Sequence, residues 1–136
     1  MRIHRNPFFV CLISGLLAAA FPAQAVIPDK ELALLPPACH AVWKGDDATR
    51  NYYAQRLGIE TWRPMGHYCN GLNNINKARS APNKAARKRF LEAALNEFRY
   101  CFGQWPANSP MIPEAKNKKA EVERAVKASM DFLKQL

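Results

Sequence analysis

Two cysteines and two histidines fall in close pairs along this chain: Cys39 beside His40, and His67 two residues before Cys69. Together they form a donor set that zinc or copper would accept, thiolate sulfur and imidazole nitrogen being ligands those ions favour. The spacings count against it. C-H and H-x-C are not the spacings of common zinc modules, and adjacent Cys-His side chains converge poorly unless the backbone bends. On one helix, at 3.6 residues per turn, His67 and Cys69 point about 200° apart. A nucleophilic Cys–His pair would need a reduced, activated thiolate, and no orienting acid or oxyanion motif is visible. The sequence has no C-x-x-C, no C-x-x-C-H, no Gly-rich phosphate loop and no standout pair of carboxylates, so thioredoxin-like redox chemistry and covalent haem are not indicated. Catalysis is not expected. A small metal or redox protein built on Cys39, His40, His67 and Cys69 stands as the alternative reading.

What those sulfurs do depends on compartment. Arg2, His4 and Arg5 make a basic start, Phe8 to Ala20 is an apolar run without charge, and Ala23-Gln24-Ala25 is a small-x-small site. That order is a secretory signal peptide over 1–25, with cleavage before Val26. Retention as an anchor is the competing reading, but Pro22 and Gln24 interrupt the run before the roughly 20 apolar residues a spanning helix needs. Val10 is not the small residue that lipoprotein processing wants before Cys11, so Cys11 is expected to leave with the signal. The product is periplasmic or secreted, with no spanning segment after cleavage. Three cysteines remain, and in an oxidising compartment two should pair. Cys39 and Cys69 are the expected disulfide. Cys39 follows a rigid Pro-Pro segment, Cys69 sits in an asparagine-rich stretch, and closing a loop of that length contributes roughly 3 kcal/mol on the chain-entropy estimate. No bridge, or one that uses Cys101, are the other possibilities.

The elements that must position these groups read as all-α. Residues 26–63 form an irregular N-terminal segment, tied by the disulfide and containing a short helix. Leu35-Pro36-Pro37 is an extended entry, Ala38–Trp43 about one helical turn, and Asp47 a cap for a helix through about Arg56 that Gly58 ends. Tyr52, Tyr53 and Leu57 supply its apolar side. Residues 64–136 hold three helices. The first, from about Pro64 or Met65 to Ala78, has Tyr68, Leu72, Ile75 and Ala78 on one stripe. Asn70, Gly71, Asn73, Asn74 and Asn76 are all weak helix formers, so packing must hold it, and Gly71 points to another backbone approaching closely. The second, Lys84 to about Gln104 with Asn83 as N-cap, carries Phe90, Ala94, Phe98, Cys101 and Trp105, plus Leu91, Leu95 and Phe102 on a second stripe. The third opens at Ile112 or Pro113 and presents Ala115, Lys119, Val122, Val126, Ser129 or Met130, and Leu133.

Ala94-x3-Phe98-x2-Cys101-x4-Pro106 has the spacing of the second helix of a tetratricopeptide repeat: a small residue admits the partner helix, an aromatic fills the groove, and proline ends the helix. The chain also resembles a group of small exported proteobacterial proteins related to tetratricopeptide repeats. The resemblance rests on Leu35-Pro36-Pro37-Ala38-Cys39, on His67-Tyr68-Cys69-Asn70-Gly71-Leu72-Asn73, and on Ile112-Pro113-Glu114-Ala115. It implies a tetratricopeptide-like helical hairpin with a third packed helix, used as a binding scaffold without enzyme activity or cofactor. Gly66 stands where the group has a second histidine, and Ala38 where an aromatic is common.

The chain is basic, and loss of Arg2 and Arg5 with the signal reduces 20 Lys+Arg to 18 against 11 Asp+Glu. Lys77, Arg79, Lys84, Arg87, Lys88 and Arg89 run without an acid until Glu92, and Lys116, Lys118 and Lys119 follow later. Such a face suits an anionic surface or an acidic partner. Nucleic acid fits poorly, because the protein is exported and its aromatics lie on core stripes instead of among the cations. The reading adopted from the sequence is an exported, non-catalytic helical scaffold for a protein or peptide partner. His67, Asn70, Asn73 and Asn74 are its expected polar contacts, since amides in a helical groove can satisfy an extended peptide backbone. An electrostatic binder acting through the Lys77–Arg89 face is the further alternative.

Overall fold

A computed structural model describes residues 26–133, with side chains to residue 129. The expected signal segment lies outside the described residues, as do the side chains of Met130 and Leu133 in the third-helix stripe. Among the described residues the chain is entirely helical, with no strand. Seven helices follow in order: α1 (Asp29–Leu32), α2 (Pro37–Lys44), α3 (Asp47–Leu57), α4 (Ile59–Trp62), α5 (Met65–Arg79), α6 (Lys84–Gln104) and α7 (Ile112–Leu133).

The N-terminal segment is more regular than its prolines imply. Pro36 is extended, at φ −59° and ψ 154°, but only as the N-cap of α2, and Pro37 already stands in the first turn, where the missing donor costs nothing. The segment expected to make one turn makes an eight-residue helix, and α1 and α4 add a short helix at either end of it. The cap of α3 is Asp46, whose carboxylate accepts from Thr49 N at 2.8 Å, so Asp47 is the first helical residue instead of the cap. Gly58 ends α3 with φ 84°, a left-handed geometry that glycine adopts without strain.

The core is built on α5 and α6. Contacts at Cys101–Pro64, His67–Glu97 and Tyr68–Phe98 show the two helices running antiparallel. The turn between them ends in Asn83, whose side chain accepts from Ala86 N at 2.8 Å. Ala94, Phe98 and Cys101 are fully buried, and Leu91 and Leu95 nearly so. Gly71 is indeed a close-approach site, but what approaches is a ring. A Cβ there would lie 2.7 Å from Cε1 of Phe98, so the glycine makes room for that aromatic and not for a neighbouring backbone. Helix α7 covers α6 with Ala115 and Val122. Trp105, just past α6, donates from Nε1 to Thr61 O at 2.8 Å and fastens α4 to the core.

Candidate functional site

Cys39 of α2 and Cys69 of α5 form a disulfide across 30 residues, with Cα atoms 5.5 Å apart. Both are buried. Neither sulfur is a thiolate in this bond, and the histidines beside them turn to other partners. His40 Nε2 lies 3.2 Å from Leu35 O. His67 Nδ1 lies 2.7 Å from Glu97 Oε2, with its ring against Tyr100 at 3.8 Å between centroids. The four-ligand set is thus not assembled, and among the described residues no group of three or more His, Cys, Asp and Glu is placed to hold a metal ion.

Cys101 is free and buried, with Sγ 3.7 Å from Pro64 O. Burial, and then the negative charge of Glu97, push its thiol up to about 12. The thiolate, which is the reactive form, is therefore absent near neutrality. Titration of the native protein with a thiol reagent at pH 8 should find no reactive cysteine, and unfolding without reductant should release one. Rapid labelling in the native state, or three thiols on unfolding, would contradict this assignment. Burial, and then the hydroxyl's bond to Glu114, also push the pKa of Tyr68 well above the ordinary tyrosine value and hold it neutral. An acid held neutral in the fold but free to ionise in the unfolded chain destabilises the fold as pH rises. The melting temperature should therefore fall above about pH 9, where an unfolded cysteine begins to ionise. Glu31 is shifted the opposite way: the bond from Asn73 favours its charged form and holds its carboxyl below the usual glutamate range, so that contribution is present near neutrality and lost on acidification.

Of the residues expected to meet a partner, His67 and Asn73 are already engaged within the fold, by Glu97 and Glu31. Asn73 is buried and donates from Nδ2 to Glu31 Oε2 at 2.7 Å, which fastens α1 to α5. Asn70 and Asn74 are half-buried, and His67 faces a separate polar cleft with Tyr100, Arg63 and Gln104. One turn beyond the disulfide on each helix, Trp43 Nε1 and Asn73 Oδ1 are buried without a hydrogen-bond partner among the described residues.

The basic run is interleaved with acids, two of them from other helices and one from the same helix. Lys77 pairs with Glu31 at 3.2 Å, Arg79 with Glu121 at 3.5 Å and Lys88 with Glu92 at 3.7 Å. Lys118 and Lys119 pair with Glu121 and Glu123 along α7. Arg87 and Arg89 are exposed, and Lys84 and Arg87 border a recess with Ala125, Ala128 and Ser129. The sequence displays the cations together, whereas the fold brings Glu31 and Glu121 to them.

A site that the sequence reading did not single out lies where α2, α3, α5 and α7 meet. It is a cleft of about 270 Å³. Met65 and Tyr68, both about 1% exposed, form its base, and Pro36 and Pro37 form one edge. Tyr53, Arg56 and Leu57, at i, i+3 and i+4 of α3, form a helix wall, and Met111 and Glu114 line the cleft from the start of α7. Tyr53 stacks on Trp62 with planes 10° apart, which holds the wall upright. Tyr68 Oη donates to Glu114 Oε1 at 2.6 Å and so joins the base to α7. The only signal of this site in the sequence was the Tyr52-Tyr53-Leu57 side of a short helix with no evident partner. The cleft's residues come from four elements spread over 36–114, so no local spacing reveals them.

Helix α3 itself buries no residue, and at 11 residues it is marginal in isolation. It is therefore the least anchored wall of the cleft. No family model matches this chain, and no curated protein and no solved structure matches it either.

Proposed function

We propose that this chain is an exported, non-catalytic helical scaffold of tetratricopeptide-like build that holds a peptide segment of a protein partner in the cleft between α2, α3, α5 and α7. The observation that carries the reading is the cleft: an apolar base of Met65 and Tyr68 beneath a helix wall that buries nothing of its own. A rigid base with an adaptable wall suits a ligand that varies in side chain, and methionines at 65 and 111 refill irregular space easily. The antiparallel α5–α6 pair supports the repeat-like part of the reading, with Ala94 and Gly71 as small residues where the helices press together. Export supports the scaffold through the disulfide, which an oxidising compartment maintains. The cleft replaces the asparagine face as the proposed contact surface, because Asn73 is already committed to Glu31.

Selection of a random peptide library on the oxidised protein tests this reading. Selected peptides should share an apolar anchor and should lose at least tenfold in affinity when the half-buried wall residue Leu57, which also packs against the core, is changed to Asp, with circular dichroism showing that the variant is still folded at the assay temperature. Peptides that bind Leu57→Asp as well as the parent would overturn the reading.

A further inference from the structure

We propose that the cleft selects a peptide in which one apolar side chain lies between an acidic and a basic residue; this rests on the peptide-binding reading above. Two charges at the mouth carry it. Among the described residues every glutamate but Glu114 lies within salt-bridge distance of a lysine, arginine or histidine: Glu31 of Lys77, Glu60 of Arg63, Glu92 of Lys88, Glu97 of His67, Glu121 of Arg79 and Lys118, and Glu123 of Lys119. Glu114 is exposed, and its one hydrogen bond among them is the Tyr68 hydroxyl. Arg56, on the α3 wall of the same cleft, donates to the Tyr52 hydroxyl at 2.9 Å and has no carboxylate partner among the described residues. In a chain that pairs its other glutamates, an unpaired acid and an unpaired arginine line the same cleft.

The two do not pair with each other, since no ion pair joins them within the 4.0 Å reach of a salt bridge. A ligand with complementary charges on either side of an apolar group satisfies both, and an extended peptide, whose alternate side chains share a face, provides that arrangement with charges two positions before and after the apolar residue. The volume argues for one side chain with its adjoining backbone: about 270 Å³ is slightly below the roughly 300–1,000 Å³ of pockets that enclose a whole small-molecule ligand. Charges at such a rim set specificity more than affinity, so the apolar anchor supplies the attraction and the flanks decide which sequences are accepted.

Fluorescence anisotropy with labelled peptides tests the pattern on the purified oxidised protein. The panel keeps a central Leu and varies the residues two positions before and after it: Asp and Lys in both orders, both neutral, both acidic, or both basic. One mixed-charge order should bind most tightly. Arg56→Gln should weaken peptides with the acidic flank by about three- to fivefold and leave those without it unchanged, the scale of an exposed ion pair. Glu114→Gln keeps an acceptor for Tyr68, so the fold is retained, and it should act in the same way on the basic flank alone. Both differences should shrink at about 1 M salt. Equal affinity for all flanks, lost together in Leu57→Asp, would overturn the charge pattern and leave the cleft reading standing. Binding that persists in Leu57→Asp, or self-association of the chain in place of peptide binding, would overturn both.

Discussion

Removing the disulfide with the pair Cys39→Ala and Cys69→Ala should lower the melting temperature by about 12–16 °C. The bridge closes 30 residues, and the chain-entropy estimate for such a loop is about 3–4 kcal/mol; a domain of this size shifts by about 4 °C per kcal/mol. The effect should fall unevenly. Helix α5 contains Asn70, Gly71, Asn73, Asn74 and Asn76, which favour turns and caps over helix interiors, so its backbone depends on what it is fastened to. Without the bridge, α2 and the cleft edge at Pro36 and Pro37 lose their covalent attachment to it. Hydrogen exchange should therefore accelerate in α2 and α5 before α6 and α7. A midpoint within two or three degrees of the parent would mean that packing alone holds these elements.

Phe98→Ala should be at least as costly, at about 3–5 kcal/mol. The ring is fully buried, lies 5.8 Å from Tyr68 between centroids, and fills the space that Gly71 leaves. The complementary change is informative because its sign is less obvious. Gly71→Ala gains about 1 kcal/mol of helix propensity but forces a methyl to within 2.7 Å of the ring, and overpacking of that kind costs about 1–3 kcal/mol. The net result should be destabilising. Combining Gly71→Ala with Phe98→Leu should recover part of that loss, since neighbouring substitutions couple. Strict additivity in urea titrations would show that the glycine and the ring do not oppose each other.

Much of this fold is legible in local pattern. Helix α6 carries its start in Asn83, its end near Pro106 and its buried face in the spacing of Ala94, Phe98 and Cys101. The pairing of Cys39 with Cys69 follows from three cysteines, one of which sits on a core stripe. What depends on tertiary contact is less legible. Pro36-Pro37 reads as an extended segment until it is seen to begin a helix. Gly71 reveals that something comes near but does not say that it is a ring. The Lys77–Arg89 run looks uniformly positive because Glu31 and Glu121 are distant in sequence, and the cleft is hidden for the same reason. Its base is on α5, its wall on α3 and its two charges on helices more than fifty residues apart.

The central claim is that a peptide occupies the cleft bordered by α2, α3, α5 and α7. Amide chemical-shift mapping on the isotopically labelled oxidised protein, titrated with a library-selected peptide, tests it most directly. The account predicts that the largest changes fall on Ala38, Tyr53, Leu57, Met65, Met111 and Glu114, saturating together at one peptide per chain. Changes centred on His67 and Tyr100, or on Lys84 to Arg89, with those six amides unmoved, would contradict it.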